Sequence, residues 1–321
     1  MNPSPLWNGA STATIATVGI LCRMFLLGTQ RKFEVEGLEQ FLQFMEERKA
    51  KSNMGGLVTV SNHTSVLDDP LMWGAIPIRH LFSPVSVRWG LGSHDICFTS
   101  RARSLLFSLG QVLPTHRLRK SPAGLGGLFQ PALDESVRLL SHLTQPQWVH
   151  IFPEGRVHQH PTYQMRYFKW GVSRCILEPP TTPTVIPIFI EGFSDIMHES
   201  REFPRFLPRV RKNVKVAFGK PVDAARWEDV RGEWEKLCEV HGFGKGRVGD
   251  SQIMPQEMKT GEDAVRLRIK TAARVREEVV KLRRELGWPE EEPMAKFMET
   301  YKEAGMTKDG RTAEGAWEKE I

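Results

Sequence analysis

The sequence predicts an α/β fold with a mixed, largely parallel central sheet flanked by helices, plus an N-terminal interfacial helix and a C-terminal amphipathic helix. Three observations predict it. Short apolar runs such as Leu57-Val58-Thr59-Val60 and Trp148-Val149-His150-Ile151-Phe152 alternate with segments of helical period. The 321 residues, 40% of them hydrophobic, suffice for one full core with appendages. Repeats and low-complexity stretches are absent.

Residues 1–32 read as a membrane-interfacial segment. The first 33 residues contain no Asp or Glu, Ala13 to Cys22 is apolar or hydroxylated, and Arg23 interrupts before Met24-Phe25-Leu26-Leu27. A run of ten or so apolar residues falls short of the roughly 20 that a membrane span needs and fits an interfacial helix. Trp7 and Arg31-Lys32 would then sit at headgroup level. A cleaved presequence and a plain core helix are the alternatives.

Residues 33–241 read as the main domain. Phe33 to Gly37 alternates as a strand, and Leu38 to Lys51 is helical. Leu57 to Val60 is a strand, Leu81 to Val87 a candidate strand, Ser104 to Leu109 the tail of a helix, and Gln111 to Pro114 a strand end. An amphipathic helix over Gln130 to Leu143 precedes the buried strand at Trp148 to Phe152. Tyr167 to Leu177 mixes aromatics and cations at helical spacing, which suits either a lipid interface or a cap on the core. Pro183 to Ile190 is a hydrophobic strand whose Pro187 argues for an edge position or a bulge. Val214 to Pro221 is the last strand, followed by a helix over Ala224 to Val240. Glycine-rich residues 242–262 read as a flexible insertion. Residues 263–287 form a basic amphipathic helix, with Val265, Ile269, Ala272, Val275, Val279, Leu282 and Leu286 on one stripe. Residues 288–321 read as a polar tail.

The chemistry-bearing stretch is Ser61-Asn62-His63-Thr64-Ser65-Val66-Leu67-Asp68-Asp69-Pro70, directly after a strand. Five residues along one helix turn a side chain by roughly 140°, so His63 and Asp68 cannot meet on a continuous helix but can meet across a turn. Asn62, Thr64 and Ser65 suit such a turn, and Asp68-Asp69-Pro70 suits a helix start. An imidazole oriented by a carboxylate is a general base. The same residues also describe an N-cap beside a surface histidine, so the pattern needs support from elsewhere in the chain.

Two later strand ends supply that support. Gln111 to Pro114 delivers Arg117 with Arg119 and Lys120, and a guanidinium at a sheet's carboxyl edge can hold a phosphate bidentately. Trp148 to Phe152 delivers Pro153-Glu154-Gly155-Arg156, where glycine permits a tight turn or a close approach to a ligand. Solvated charge and an ordinary β-turn are the bland readings of these two loops.

A net charge of +6 suits an anionic partner such as nucleic acid, phosphorylated metabolites or acidic lipid. Only charge speaks for nucleic acid, which is not expected as a partner. Cys22, Cys97, Cys175 and Cys238 are scattered without metal-ligand spacing, so neither a metal nor a cofactor is expected. No G-x-S-x-G occurs, which removes the usual serine-hydrolase signature.

Taken in order, Asn62-His63 to Asp68, Gly110 to Arg117, Phe152-Pro153-Glu154-Gly155 and Val185-Ile186-Pro187-Ile188 resemble the four blocks of the glycerolipid acyltransferase superfamily. Leu71-Met72-Trp73-Gly74, Asp95 to Thr99, Phe107 to Gly110 and Phe168-Lys169-Trp170-Gly171 are similar to one branch of it, the mitochondrial phospholipid-lysophospholipid transacylases. The resemblance runs from about Trp7 to about Asp223. Two departures stand out: Arg156-Val157 replaces the Thr-Arg of many acyltransferases, and residues 242–261 are extra.

The resemblance implies that His63 and Asp68 are catalytic and that Asn62, Asp69, Arg117, Glu154, Gly155 and Arg156 bind substrate. It implies coenzyme A-independent acyl exchange, with cardiolipin and monolysocardiolipin as favoured phospholipid and lysophospholipid partners. The location it implies is peripheral or monotopic on a mitochondrial membrane, facing the intermembrane space. An acyl-CoA-dependent acyltransferase and a non-catalytic membrane scaffold are the alternatives.

Overall fold

The computed structural model describes residues 4–50, 54–82, 87–117, 125–142, 145–243 and 249–303. Arg119, Lys120 and most of the polar tail lie outside them. Helix α1 (Pro5–Thr29) leads into strand β1 (Lys32–Glu36), α2 (Leu38–Ala50), β2 (Leu57–Ser61) and the short α3 (Asp68–Met72). Then come β3 (Gly90–Ser93), α4 (His94–Cys97), α5 (Arg101–Leu109), β4 (Val112–Thr115), α6 (Pro131–Leu140) and β5 (Trp148–Ile151). Next are α7 (Gly171–Leu177), β6 (Thr184–Glu191), α8 (Phe193–Ile196) and β7 (Asn213–Phe218). The chain finishes with α9 (Glu228–Val240), α10 (Gln256–Thr260), α11 (Glu262–Glu285) and α12 (Thr300–Glu303).

Five strands form one sheet in the order β1-β7-β6-β2-β5, parallel except for the antiparallel pair β6 and β7. Trp89 exchanges backbone hydrogen bonds with Trp148 and His150, so the parallel pair β3 and β4 continues the sheet beyond β5. Core residues alternate faces along each strand, as the pleat requires. Val58, Val60, Val149, Ile151, Val185 and Phe189 pack under α7, α9 and α11, while Leu57, Trp148, Ile186, Ile188 and Ile190 face α2, α3 and α8. Burial on both faces explains why these strands read as continuous apolar runs.

Several expectations are corrected. The strand expected over Leu81 to Val87 falls partly on residues 83–86, which lie outside the described residues; Leu81 and Phe82 belong to a 3₁₀ turn (Ile78–Phe82), and the described extended segment begins at Gly90. Gly90 and Gly92 carry no strand propensity, but a Cβ at Gly92 would stand 2.7 Å from Val112 Cγ1, so glycine lets β3 press against β4. Pro187 lies inside the sheet rather than at its edge, since β6 pairs with both β2 and β7. Its carbonyl accepts from Gly219 (2.8 Å), so its nitrogen, which lacks a proton, faces the point just past Phe218 where β7 has ended.

Helix α1 runs 25 residues without a break at Arg23, which donates to the carbonyls of Gly74 (3.0 Å) and Ala75 (3.3 Å). It is long and apolar enough to cross a membrane by length and composition, yet it buries Ile15, Ala16, Gly19 and Leu26 against the domain. Leu21, Met24 and Leu27 remain exposed on its other side.

Residues 249–262, read as part of a flexible insertion, hold α10 and bury Met254 and Met258 in the core. The tail is also less loose at its start: Trp288 donates to Glu191 (2.8 Å), and Tyr301 is buried. Tyr167 to Leu177 packs on the core through Val172, Cys175, Ile176 and Leu177, and Arg174 is fully buried between Asp134 (2.8 Å) and Glu178 (2.6 Å), while Trp170 stays exposed. In α11, Ile269 is exposed whereas Arg268, Arg276 and Arg283 are buried. Their guanidiniums fasten neighbouring backbone: Arg276 donates to Arg166 O (2.9 Å) and Met165 O (2.8 Å), and Arg283 to Thr162 O (2.7 Å). Segment 162–166 is thereby held for the site described next.

Candidate active site

Strand β2 ends at Ser61, and the turn that follows is fixed on every side. Asn62 is buried, with its amide nitrogen on Ile190 O and its amide oxygen on Ile190 N, both at 2.9 Å. Those bonds tie β2 to β6 and use both ends of the amide, so Asn62 is a structural tie rather than the substrate contact expected from sequence.

Asp68, at the start of α3, folds back over the turn. Its Oδ2 accepts from Thr64 N (2.5 Å) and Ser65 N (2.8 Å) and lies 2.9 Å from His63 Nδ1. Oδ1 takes the Thr64 hydroxyl at 3.3 Å. Full burial pushes the Asp68 carboxyl up, against the bonds from His63, Ser65 and Thr64 that favour its charged form. The imidazole stacks on Phe152, with ring centroids 4.3 Å apart, and its side chain stays 21% exposed. Nδ1 is committed to Asp68, so Nε2 is the nitrogen left for a ligand. This tautomer is assigned from the hydrogen bonding.

The turn after β5 supports the histidine from below. Glu154 is buried, and its two oxygens accept from the backbone N–H of His63 (2.8 Å) and of Arg166 (2.9 Å). Burial pushes Glu154 up to about 7 against those two bonds. The carboxylate expected to fix a substrate hydroxyl instead fixes the backbone of the base. Through Arg166 it connects to Arg276 of α11, so a helix more than 200 residues downstream in sequence braces His63. Gly155 adopts φ +67°, a left-handed conformation natural to glycine, and the Lys169 side chain lies close over it. Arg156 is partly exposed beside that turn.

Asp69 is engaged by its neighbours, though 27% of its side chain stays exposed. It forms an ion pair with Arg88 and accepts from Trp73 Nε1 (3.1 Å), while Arg88 also donates to Gly110 O (2.9 Å). Arg117 follows β4, pairs with Asp95, and keeps 27% of its side chain exposed. Three strand spacings, β2 to β5 to β3 to β4, separate its strand from that of His63, roughly 14 Å along the same carboxyl edge.

Sequence reading missed several of these partners. His150 lies under the motif, bonded to Thr59 (2.8 Å), and burial drives it down to about 3, hence neutral. Gln159 donates to Thr64 O (2.8 Å), and His158 N donates to His63 O (2.7 Å). Long-range backbone contacts of this kind leave no local signature. Lys169 had one, in Phe168-Lys169-Trp170-Gly171.

Comparison with known proteins fits this geometry. The family model described as Acyltransferase matches residues 32–191, which contain the His63 turn, Arg117 and the Glu154 turn. Over 340 aligned residues the chain is 34% identical to the tafazzin of Saccharomyces cerevisiae, covering 95% of this chain and 86% of that protein. The chain belongs to the tafazzin family of the glycerolipid acyltransferase superfamily. Drosophila melanogaster tafazzin is 34% identical over 69% of this chain and 54% of its own length. An N-acylphosphatidylethanolamine synthase of Arabidopsis thaliana is 38% identical over 52% of this chain and 56% of its own. Like the family, this protein is an acyltransferase enzyme.

Proposed function

We propose that the protein is a coenzyme A-independent transacylase that moves a fatty acyl chain from a phospholipid to a lysophospholipid. The observation that carries this reading is the 2.9 Å contact between His63 Nδ1 and Asp68 Oδ2 in a chain of the tafazzin family. His63 Nε2 takes the proton of the lysophospholipid hydroxyl. The oxygen attacks the donor's acyl carbonyl, a new C–O ester bond forms, and the old one breaks. His63 returns the proton to the departing glycerol oxygen, which leaves as a new lysophospholipid. Asp68 holds the ring by Nδ1 and stabilises the imidazolium between the two transfers.

One ester replaces a similar ester, so no thioester is needed to drive the exchange. General acid-base transfer contributes about 10²- to 10⁴-fold, and positioning of the two lipids must supply much of the remainder. Arg117, Arg156 and Gly155 line the route of the headgroup phosphates, where a guanidinium can grip a phosphate with two N–H groups. Cardiolipin and monolysocardiolipin are the favoured pair, which suits the net charge of +6. A mitochondrial location follows the family, and we infer a monotopic placement facing the intermembrane space, with the exposed side of α1 against lipid.

A radiolabelled acyl chain should move between purified phospholipid and lysophospholipid with no thioester present. Strict dependence on acyl-CoA would overturn the transacylase reading. The Arabidopsis relative's name favours a second acceptor, the headgroup amine of phosphatidylethanolamine. Mass spectrometry of the product separates the amide from the ester.

A further inference from the structure

The segment between α8 and β7 is the most conspicuous unpartnered surface of the described residues. Phe203 is 88% exposed, Phe206 74%, Leu207 47% and Val210 49%. Single exposed apolar side chains are ordinary, but four within eight positions form a patch. Arg201, Arg205 and Arg209 are interleaved with them. Arg201 donates to the carbonyls of Arg205 and His198, Arg205 to that of Glu199 (2.6 Å), and Arg209 to that of Glu202. Among the described residues none of the three makes an ion pair. Each is thus fixed in place with N–H donors to spare, and burial, then Arg205 and Arg209, hold Arg201 below the usual arginine value.

Both ends of the segment are tied to places that matter for lipid access. Glu199 N donates to Gln159 (2.9 Å), and Gln159 in turn holds Thr64 O in the His63 turn. At the other end Arg211 N donates to Thr29 O (2.9 Å), and Lys212 N to Gln30 (3.0 Å), at the end of α1. One end of the segment is thus fastened to the carboxyl end of α1, two residues past exposed Leu27, and the other to the candidate active site.

We propose that residues 199–211 form a membrane-docking arm that seats the His63 turn on an anionic lipid leaflet, an inference that rests on the phospholipid reading given above. Phe203, Phe206, Leu207 and Val210 enter the boundary between headgroups and acyl chains, where aromatic and aliphatic side chains lose water. Arg201, Arg205 and Arg209 meet lipid phosphates, whose geometry matches the guanidinium fork. Arginines interleaved with apolar side chains, on a segment fastened to the end of the apolar helix α1, favour a lipid surface over a protein partner. The arm would shorten the path of an acyl chain from bilayer to His63, because the acceptor need not leave the leaflet entirely.

The test uses the full chain and sedimentation with two kinds of vesicle, phosphatidylcholine alone and phosphatidylcholine with cardiolipin. Removing three arginines (R201Q/R205Q/R209Q) should weaken binding to the cardiolipin vesicles by about 10²-fold, with little change on the neutral ones. F203S/F206S should weaken binding to both by roughly tenfold. Acyl exchange by F203S/F206S should fall on vesicle-borne lipid but match the parent protein on detergent-dispersed lipid, with an unchanged melting temperature. Parental vesicle binding by both variants overturns the proposal, as does loss of F203S/F206S exchange on dispersed lipid. Variants that bind vesicles normally but lose a protein partner also overturn it. Arm-dependent vesicle binding by a protein without acyl exchange would sink the transacylase reading and leave the arm standing.

Discussion

The two strand ends that carry His63 and Arg117 lie on one edge of the same sheet, yet they are built in opposite ways. Around His63 the buried polar groups have assigned partners: Asp68 binds two backbone N–H groups and the ring, Glu154 binds two more, and Asn62 locks the strand behind. Arg117 meets Asp95 in a two-point ion pair that keeps 27% of each side chain exposed, so an anion arriving from solvent can reach the guanidinium. Proton transfer needs a base held to a fraction of an ångström, whereas holding a phosphate needs a cation that can let go. The difference assigns rigid geometry to the chemistry and adjustable charge to the substrate.

Asp68→Asn tests the rigid side most severely. The amide can no longer accept from Thr64 N, Ser65 N and His63 Nδ1 as the carboxylate does, and kcat should fall about 10³- to 10⁴-fold, as loss of an orienting carboxylate does elsewhere. A loss below tenfold would mean that Asp68 does not fix the imidazole.

Glu154→Gln strikes the brace beneath. One of two buried N–H groups would face an amide nitrogen, costing about 1–3 kcal/mol in urea unfolding. Because its folded pKa is raised to about 7, the wild-type group's contribution is present below its ordinary 4.5 and is lost as pH rises through about 7. The gap between the two proteins should therefore be wider at pH 5 than at pH 8. A gap that grows with pH would indicate that Glu154 is stabilised as the carboxylate.

Arg117→Ala tests the adjustable side. KM for an anionic lysophospholipid should rise about tenfold, the loss expected for one charge-assisted contact, while unfolding stability stays within about 1 kcal/mol. A kcat effect with unchanged KM would move Arg117 into the chemistry. Gly155→Ala should be milder, about 1 kcal/mol of stability for a Cβ in the left-handed region. A larger loss of activity than of stability would place a substrate group against Gly155.

The sequence discloses most of the strands and the His63–Asp68 turn, because parallel strands are apolar throughout and an H-x-x-x-x-D pattern is local. It hides whatever depends on distant partners. Asp69 and Glu154 look like substrate ligands in sequence, and only the fold reveals Arg88 beside one and the His63 and Arg166 backbone around the other. Strand β3 is hidden because its glycines are there for close packing with β4, and Pro187 misleads because its missing N–H falls past the end of β7. Arg268, Arg276 and Arg283 stand outside the apolar stripe read from the sequence, yet they are the buried clamps of α11.

The most direct measurement is thioester-free acyl exchange between phospholipid and lysophospholipid by His63→Ala beside the wild type, with both folded as judged by melting temperature. Wild-type exchange with a loss of about 10²- to 10⁴-fold in the variant is expected from a base that moves the proton both ways. Equal exchange by the two proteins would remove His63 from the chemistry.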